Sequence, residues 1–193
     1  MIPIAPIYNN PSSWYNFHNV LTPTQFNTLN EGLLSLPYYE ASINEGETQS
    51  NHRRSNIKWI PQNEEWVWLY SRFQEIISNI NDKNWRFDLR SIDEAIQYTE
   101  YDSSVKGHYD WHVDIGSGHF STRKISITLQ LSSESEYEGG NLEFNLGKDN
   151  TSKANKSQNT ATIFPSYLLH RVSPVTKGTR KSLVLWVGGV PFR

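Results

Sequence analysis

Three side chains in the second half of the sequence are of the types that hold a metal ion. Trp111-His112-Val113-Asp114 places a histidine two residues before an aspartate. On a β-strand, residues two apart point to the same side, so this imidazole and this carboxylate would converge on one ion. A His-x-Asp pair alone is common by chance. His170 gives it weight, because it lies far downstream on another predicted strand, in Phe164-Pro165-Ser166-Tyr167-Leu168-Leu169-His170-Arg171-Val172. Two histidines and one carboxylate cover one face of a redox-active divalent iron and leave positions open for a cosubstrate and dioxygen. Arg180 follows ten residues after His170. A guanidinium there can form a bidentate pair with a carboxylate. That is what 2-oxoglutarate requires: its keto acid end chelates iron, and its distal carboxylate needs a clamp. His112, Asp114 and His170 are therefore the candidate metal ligands and catalytic set, and Arg180 the candidate cosubstrate anchor. The plainer alternative is that these are buried residues hydrogen-bonded to neighbours.

Two kinds of element must position these side chains. Thr22-Pro23-Thr24-Gln25 is a helix start, with Thr22 as cap, Pro23 at the first helical position and Gln25 completing a capping box. Phe26, Leu29, Leu33 and Leu36 follow at helical spacing, and Pro37 ends the run. A second helix fits roughly Asn63 to Ile80, with Trp66, Leu69, Phe73, Ile76, Ile77 and Ile80 on one stripe. Both read as buttresses for a sheet. From Ile92 onward the pattern changes to short strands divided by glycine, serine and asparagine. The predicted strands are Ala95–Tyr101, His108–Val113, Lys124–Leu131, Asn141–Leu146, Thr160–Phe164, Leu168–Val172 and Lys181–Val187, with a tight turn at Gly139-Gly140. Glu40 to Asn56 reads as a hairpin or mobile loop, and Gly147 to Asn159 as an exposed connection. On the last strand Arg180 shares a face with Ser182, Val184 and Trp186, which would wall a pocket. The fold class expected is α+β, mainly β, with a sandwich or jelly roll and helices packed on one face. The chain reads as a single domain, with a helical buttress over about 1–91 and a jelly-roll core over about 92–193.

Composition narrows the chemistry further. There are no cysteines, which excludes thiolate zinc sites, iron–sulfur clusters and cysteine nucleophiles. The formal net charge of -2 gives no general attraction to nucleic acid. No apolar run approaches membrane-spanning length, and MIPIAPIYNN lacks the features of a signal peptide, so the expected location is cytoplasmic with no membrane partner. The oligomeric state is not legible.

Taken together, several segments resemble the prolyl 4-hydroxylase-like branch of the iron(II)- and 2-oxoglutarate-dependent dioxygenases. They are Gln97 to Asp102, Gly107 to Asp114, Arg123 to Ser126, Tyr137 to Phe144 and His170 to Arg180, and the likeness runs from about Val20 to the C-terminus. The resemblance implies a double-stranded β-helix with iron at its open end. It gives the metal to Asp114 rather than Asp110, and leaves His52, His108 and His119 as non-ligands. It also implies that the Tyr101 hydroxyl helps hold 2-oxoglutarate. Some relatives carry a second pocket tyrosine where this chain has Gln130, whose amide can still donate. Arg53-Arg54-Ser55 matches the outer residues of the Arg-Thr-Ser signature in the substrate loop of peptidyl-proline hydroxylases, against the plain reading of a solvated loop. Fe(II), 2-oxoglutarate and dioxygen are the implied cofactors and cosubstrates, with ascorbate as an accessory reductant.

The function these features imply is hydroxylation of a prolyl residue in a peptide or protein, coupled to decarboxylation of 2-oxoglutarate. A carboxylate at Asp114 implies hydroxylation rather than halogenation, because related halogenases have a small residue there. Trp186 stands where nucleic-acid demethylases of this class carry an arginine, so no nucleic-acid partner is expected. The alternatives are hydroxylation of a free amino acid or other small molecule, and a non-catalytic jelly-roll module that binds a metal or ligand.

Overall fold

Thr22 caps the first helix as its sequence predicts: the Thr22 hydroxyl accepts from Gln25 N–H, and the Gln25 side chain accepts from Thr22 N–H. The computed structural model describes residues 12–41, 51–147 and 150–192. In chain order the elements are β1 (Tyr15–His18), α1 (Pro23–Ser35), β2 (Tyr39–Glu40), β3 (Arg53–Arg54), β4 (Asn56–Ile60), α2 (Val67–Lys83), β5 (Leu89–Ser91) and β6 (Ile96–Asp102). They continue with β7 (His108–His112), β8 (Arg123–Gln130), β9 (Tyr137–Gly139), β10 (Leu142–Asn145), β11 (Thr151–Lys153), β12 (Thr160–Pro165), β13 (His170–Val172) and β14 (Val175–Gly189).

Two antiparallel sheets result. The larger runs β1-β12-β8-β14-β6-β4-β2, with β5 and β9 also paired to β14. The smaller runs β11-β10-β13-β7-β3. The architecture is the expected one, mainly β, a jelly roll with helices on one face.

Strand alternation explains why the larger sheet is buried on both sides. Ile125, Ile127 and Leu129 of β8, and Leu183, Leu185 and Val187 of β14, join Leu29 and Leu33 of α1 and Leu69, Phe73, Ile76 and Ile77 of α2 in one apolar core. The intervening residues, Ser126, Thr128 and Gln130 on β8 and Arg180, Ser182 and Trp186 on β14, are buried too, but on the face turned from the helices. Pairing of β14 with β8 sets Ser182 opposite Gln130 and Trp186 opposite Ser126, so the polar positions of the two strands share that face. One side of the sheet is thus a hydrophobic floor and the other a polar wall. Lys58 of β4 ties the sheet to α1: its ammonium, buried, donates to the carbonyl of Leu33 in the last turn, where helix carbonyls lack partners.

Several boundaries differ from the sequence reading. The second helix begins at Val67 rather than near Asn63, because Asn63 turns the chain: its side chain and its carbonyl both accept from Trp66 N–H. The helical first part also supplies strands, since β1 pairs with β12 and β4 with β6. Within Glu40 to Asn56, the two ends pair as β2 with β4, Arg53–Arg54 pairs with β7, and residues 42–50 lie outside the described residues. The connection from Gly147 to Asn159 carries β11 on β10, with 148–149 outside the described residues. The expected strand Lys181–Val187 is the middle of the much longer β14. Among the described residues, no helix is long and apolar enough to cross a membrane.

Leu183 is fully buried in the apolar core that also takes in residues of α1, α2 and β8. Leu183→Ala is expected to lower unfolding stability by about 2–5 kcal/mol, against about 1 kcal/mol for Thr22→Ala. Urea denaturation of the two variants beside the wild type checks both values.

Candidate active site

His112 ends β7 and His170 begins β13, and these strands pair with the two histidines directly opposite each other. Their ring centroids lie 4.2 Å apart. Asp114 reaches them by a different route from the one its spacing suggests. It lies past the end of β7, in a bend, where its N–H donates to the carbonyl of Ser166 at 2.9 Å. The chain after β12 therefore fixes the carboxylate, and strand alternation alone does not. One ligand-type atom from each of His112, Asp114 and His170 lies within 4.8 Å of the others. His112 Nε2 is 3.7 Å from one Asp114 oxygen, and His170 Nε2 is 3.6 Å from the other.

The hydrogen bonds behind the rings set which nitrogen is available. His112 Nδ1 lies 2.7 Å from the carbonyl of Asp110, and His170 Nδ1 lies 2.8 Å from that of Leu168. A carbonyl only accepts, so each Nδ1 carries a proton, and each Nε2 faces Asp114. Burial, with His170 beside it, pushes His112 down to about 3, so its imidazole is neutral at physiological pH. For Asp114, burial favours the neutral acid, but His170, His112, the Ser126 hydroxyl and Arg123 outweigh it and hold the carboxyl below its usual range. Two imidazoles with inward-facing Nε2 atoms and a carboxylate are the donor set a divalent cation takes, and backing carbonyls of this kind orient metal-binding histidines. The residues therefore fit one facially bound ion.

Other side chains support this cluster. The Tyr109 ring stacks on His112 with centroids 3.5 Å apart, and the Arg53 guanidinium lies 4.7 Å from the Tyr109 ring centroid on which it rests. Arg123 donates to the Asp114 carbonyl at 3.1 Å and is held by both oxygens of Glu94. Its guanidinium lies between the rings of Trp186 and Phe120, at 3.9 and 4.4 Å from their centroids. The indole N–H of Trp186 has no partner among the described residues.

A cavity of about 700 Å³ opens from the triad between the two sheets. Arg180, Ser182, Val184 and Trp186 of β14 line it, as their shared face predicts, together with Tyr101, Tyr109 and Arg53. Arg180 is 2 % exposed, sits opposite Tyr101 across the β6–β14 pair, and donates to Ser182 Oγ at 3.3 Å. Among the described residues no carboxylate lies within 4.0 Å of it. A buried guanidinium without a counter-ion is costly, and an anionic ligand in the cavity would relieve that cost.

The remaining predicted residues divide. Arg53 is not a solvated loop residue: it is 7 % exposed, lines the cavity and donates to Ser55 Oγ. Arg54 turns away, to Asn51 and the Val105 carbonyl. Gln130 is buried beside Arg180, but its amide already donates to the Tyr137 hydroxyl at 3.0 Å and toward the Ser132 carbonyl. His119 lines the cavity and lies against Phe120 with its ring tilted 47° to that ring, outside the three-residue cluster. Arg123, Tyr109, Tyr137 and Lys156 were not singled out by the sequence reading. The signal for Tyr137 was its place just before Gly139-Gly140, and for Arg123 its place opening a strand buried throughout. A second cavity of about 700 Å³, between α2 and β5, holds none of these groups.

Comparison with known proteins agrees with this arrangement. Residues 96–188 match the model of the 2OG-Fe(II) oxygenase superfamily. A PKHD-type hydroxylase of Gloeothece citriformis is 41% identical over 95 residues, which is 48% of this chain and 42% of that protein. The matched segment thus covers less than half the length of that relative. A solved prolyl-4-hydroxylase of Pseudomonas putida superposes with a TM-score of 0.71 at 19% identity, over 91% of this chain and 92% of that one. A prolyl hydroxylase of Trichoplax adhaerens, solved with a hypoxia inducible factor peptide fragment, gives a TM-score of 0.74 at 17% identity, over 92% of this chain and 84% of that one.

His112→Ala and His170→Ala are each expected to lower Mn(II) affinity by at least about tenfold, while His119→Ala leaves it unchanged. Titration calorimetry on the metal-free proteins reads the difference, and equal affinity in all four would remove the cluster as the metal site.

Proposed function

We propose that this chain, whose residues 96–188 match the 2OG-Fe(II) oxygenase superfamily, is such an oxygenase and hydroxylates an unactivated C–H bond, with a prolyl residue of a peptide as substrate. The observation that carries the reading is one cavity holding both the three-donor cluster and a buried, unpaired Arg180. The family uses Fe(II), 2-oxoglutarate and dioxygen. Together these supply the oxidising power: one oxygen atom enters the substrate C–H bond, the other enters succinate, and carbon dioxide is released.

The protein's part is to bind, orient and exclude water. His112, Asp114 and His170 hold the iron. Arg180 receives the distal carboxylate of 2-oxoglutarate, with Tyr101 beside it. Val184 and Trp186 wall the cavity on the sheet side. Tyr39, Trp59 and Phe120 also line it and remain partly exposed, as aromatic faces at which a prolyl ring can pack. Arg53 lies in the same space, and its match to the Arg-x-Ser pattern supports a peptide rather than a free amino acid.

Succinate formation tests this directly. With Fe(II), ascorbate and 2-oxoglutarate, turnover should require oxygen, vanish in His170→Ala and need far more 2-oxoglutarate in Arg180→Ala. Proline-containing peptides should raise the rate and gain one oxygen atom by mass spectrometry. Stimulation by free amino acids alone would move the substrate to the small-molecule class. Failure to bind both metal and 2-oxoglutarate would end the reading.

A further inference from the structure

Behind Arg180 the main cavity gives way to a small pocket lined by Gln130, Tyr137, Gly140, Lys156 and Arg180, among others. Tyr137 is 3 % exposed there. Its hydroxyl oxygen accepts from Gln130 Nε2 at 3.0 Å. A phenol has one proton to donate, and with the Gln130 amide donating to its oxygen that proton points elsewhere. No protein acceptor for it is present among the described residues, although the group is buried. Lys156 lies on the other side of the ring, its ammonium 4.2 Å from the Tyr137 centroid and donating to the Gly139 carbonyl at 3.1 Å. No described carboxylate lies within 4.0 Å of Lys156 or Arg180. Two cations and an unspent hydroxyl proton thus surround one pocket too small for more than the end of a ligand.

We propose that Tyr137 and Lys156 complete the receptor for the distal carboxylate of the 2-oxo diacid, Tyr137 by donating its hydroxyl proton to it and Lys156 as a second cation across the Tyr137 ring. This deepens the functional reading above and rests on it. Gln130 then has a different part from that of a ligand donor: it fixes the Tyr137 hydroxyl so that its proton faces the carboxylate. The Gly139-Gly140 turn closes the pocket. A Cβ on Gly140 would lie 3.1 Å from Arg180 Cδ and 2.9 Å from Val175, at a φ of +56° that already favours glycine. The receptor is therefore a closed end, suited to a diacid of fixed length and indifferent to an acid without a second carboxylate.

The test compares two ligands on Mn(II)-loaded protein, where no turnover occurs. 2-Oxoglutarate carries the distal carboxylate, and pyruvate has the same keto acid end without it. Tyr137→Phe and Lys156→Met should each weaken 2-oxoglutarate binding by about tenfold and leave pyruvate binding unchanged, with Lys156→Arg restoring most of the loss. Equal weakening of both ligands would mean a structural role and overturn the proposal, as would unchanged 2-oxoglutarate binding in both variants. Loss of 2-oxoglutarate in Arg180→Ala alone would overturn this proposal while leaving the functional reading intact. Absence of 2-oxoglutarate binding by the wild type would overturn both.

Discussion

The polar wall of the site, with Arg180 on it, depends on the two-residue alternation of β14 and β8. Each strand must satisfy two environments at once, an apolar helix layer on one face and a polar cavity on the other. Leu183, Leu185 and Val187 anchor the strand by burial, and that anchoring fixes the height and direction of Arg180, Ser182 and Trp186. A shift of one residue in register would turn the guanidinium into the hydrophobic core and leucines into the cavity. The core thus sets the position of the chemistry as well as the stability of the fold.

The smaller sheet contributes differently. Its strands are short, and the triad forms at their ends, where pairing gives way to turns. His112 and His170 face each other because β7 and β13 pair, yet Asp114 is placed by a loop, through Ser166 and Arg123. The site therefore joins a rigid sheet to chain that leaves it, as do many sites in which loops carry function on a fixed scaffold.

The readable parts of the sequence were those governed by local rules. The capped start of α1, the apolar stripes and the alternation of β14 depend on neighbours in sequence, and Arg180 with its face companions followed from that alternation. What escaped was long-range. That Asn63 would turn the chain before α2, that β1 and β4 would join the larger sheet, and that Arg53 would be buried against Tyr109 depend on partners far along the chain. Gln130 illustrates the limit. It lies beside Arg180, but the Tyr137 hydroxyl that takes up its amide arrives from a separate strand, and no spacing rule marks that meeting.

The backing of the two imidazoles has a consequence for how the site distinguishes ions. Each ring is tethered by its Nδ1 hydrogen bond, and His112 is further pressed flat against Tyr109, so neither can swing to follow a mismatched ion. The entropy of ordering these donors is spent during folding rather than at capture. A site of this kind selects by the radius and angular demands of the ion, since the protein framework, and not the metal, dictates the shape of the coordination sphere.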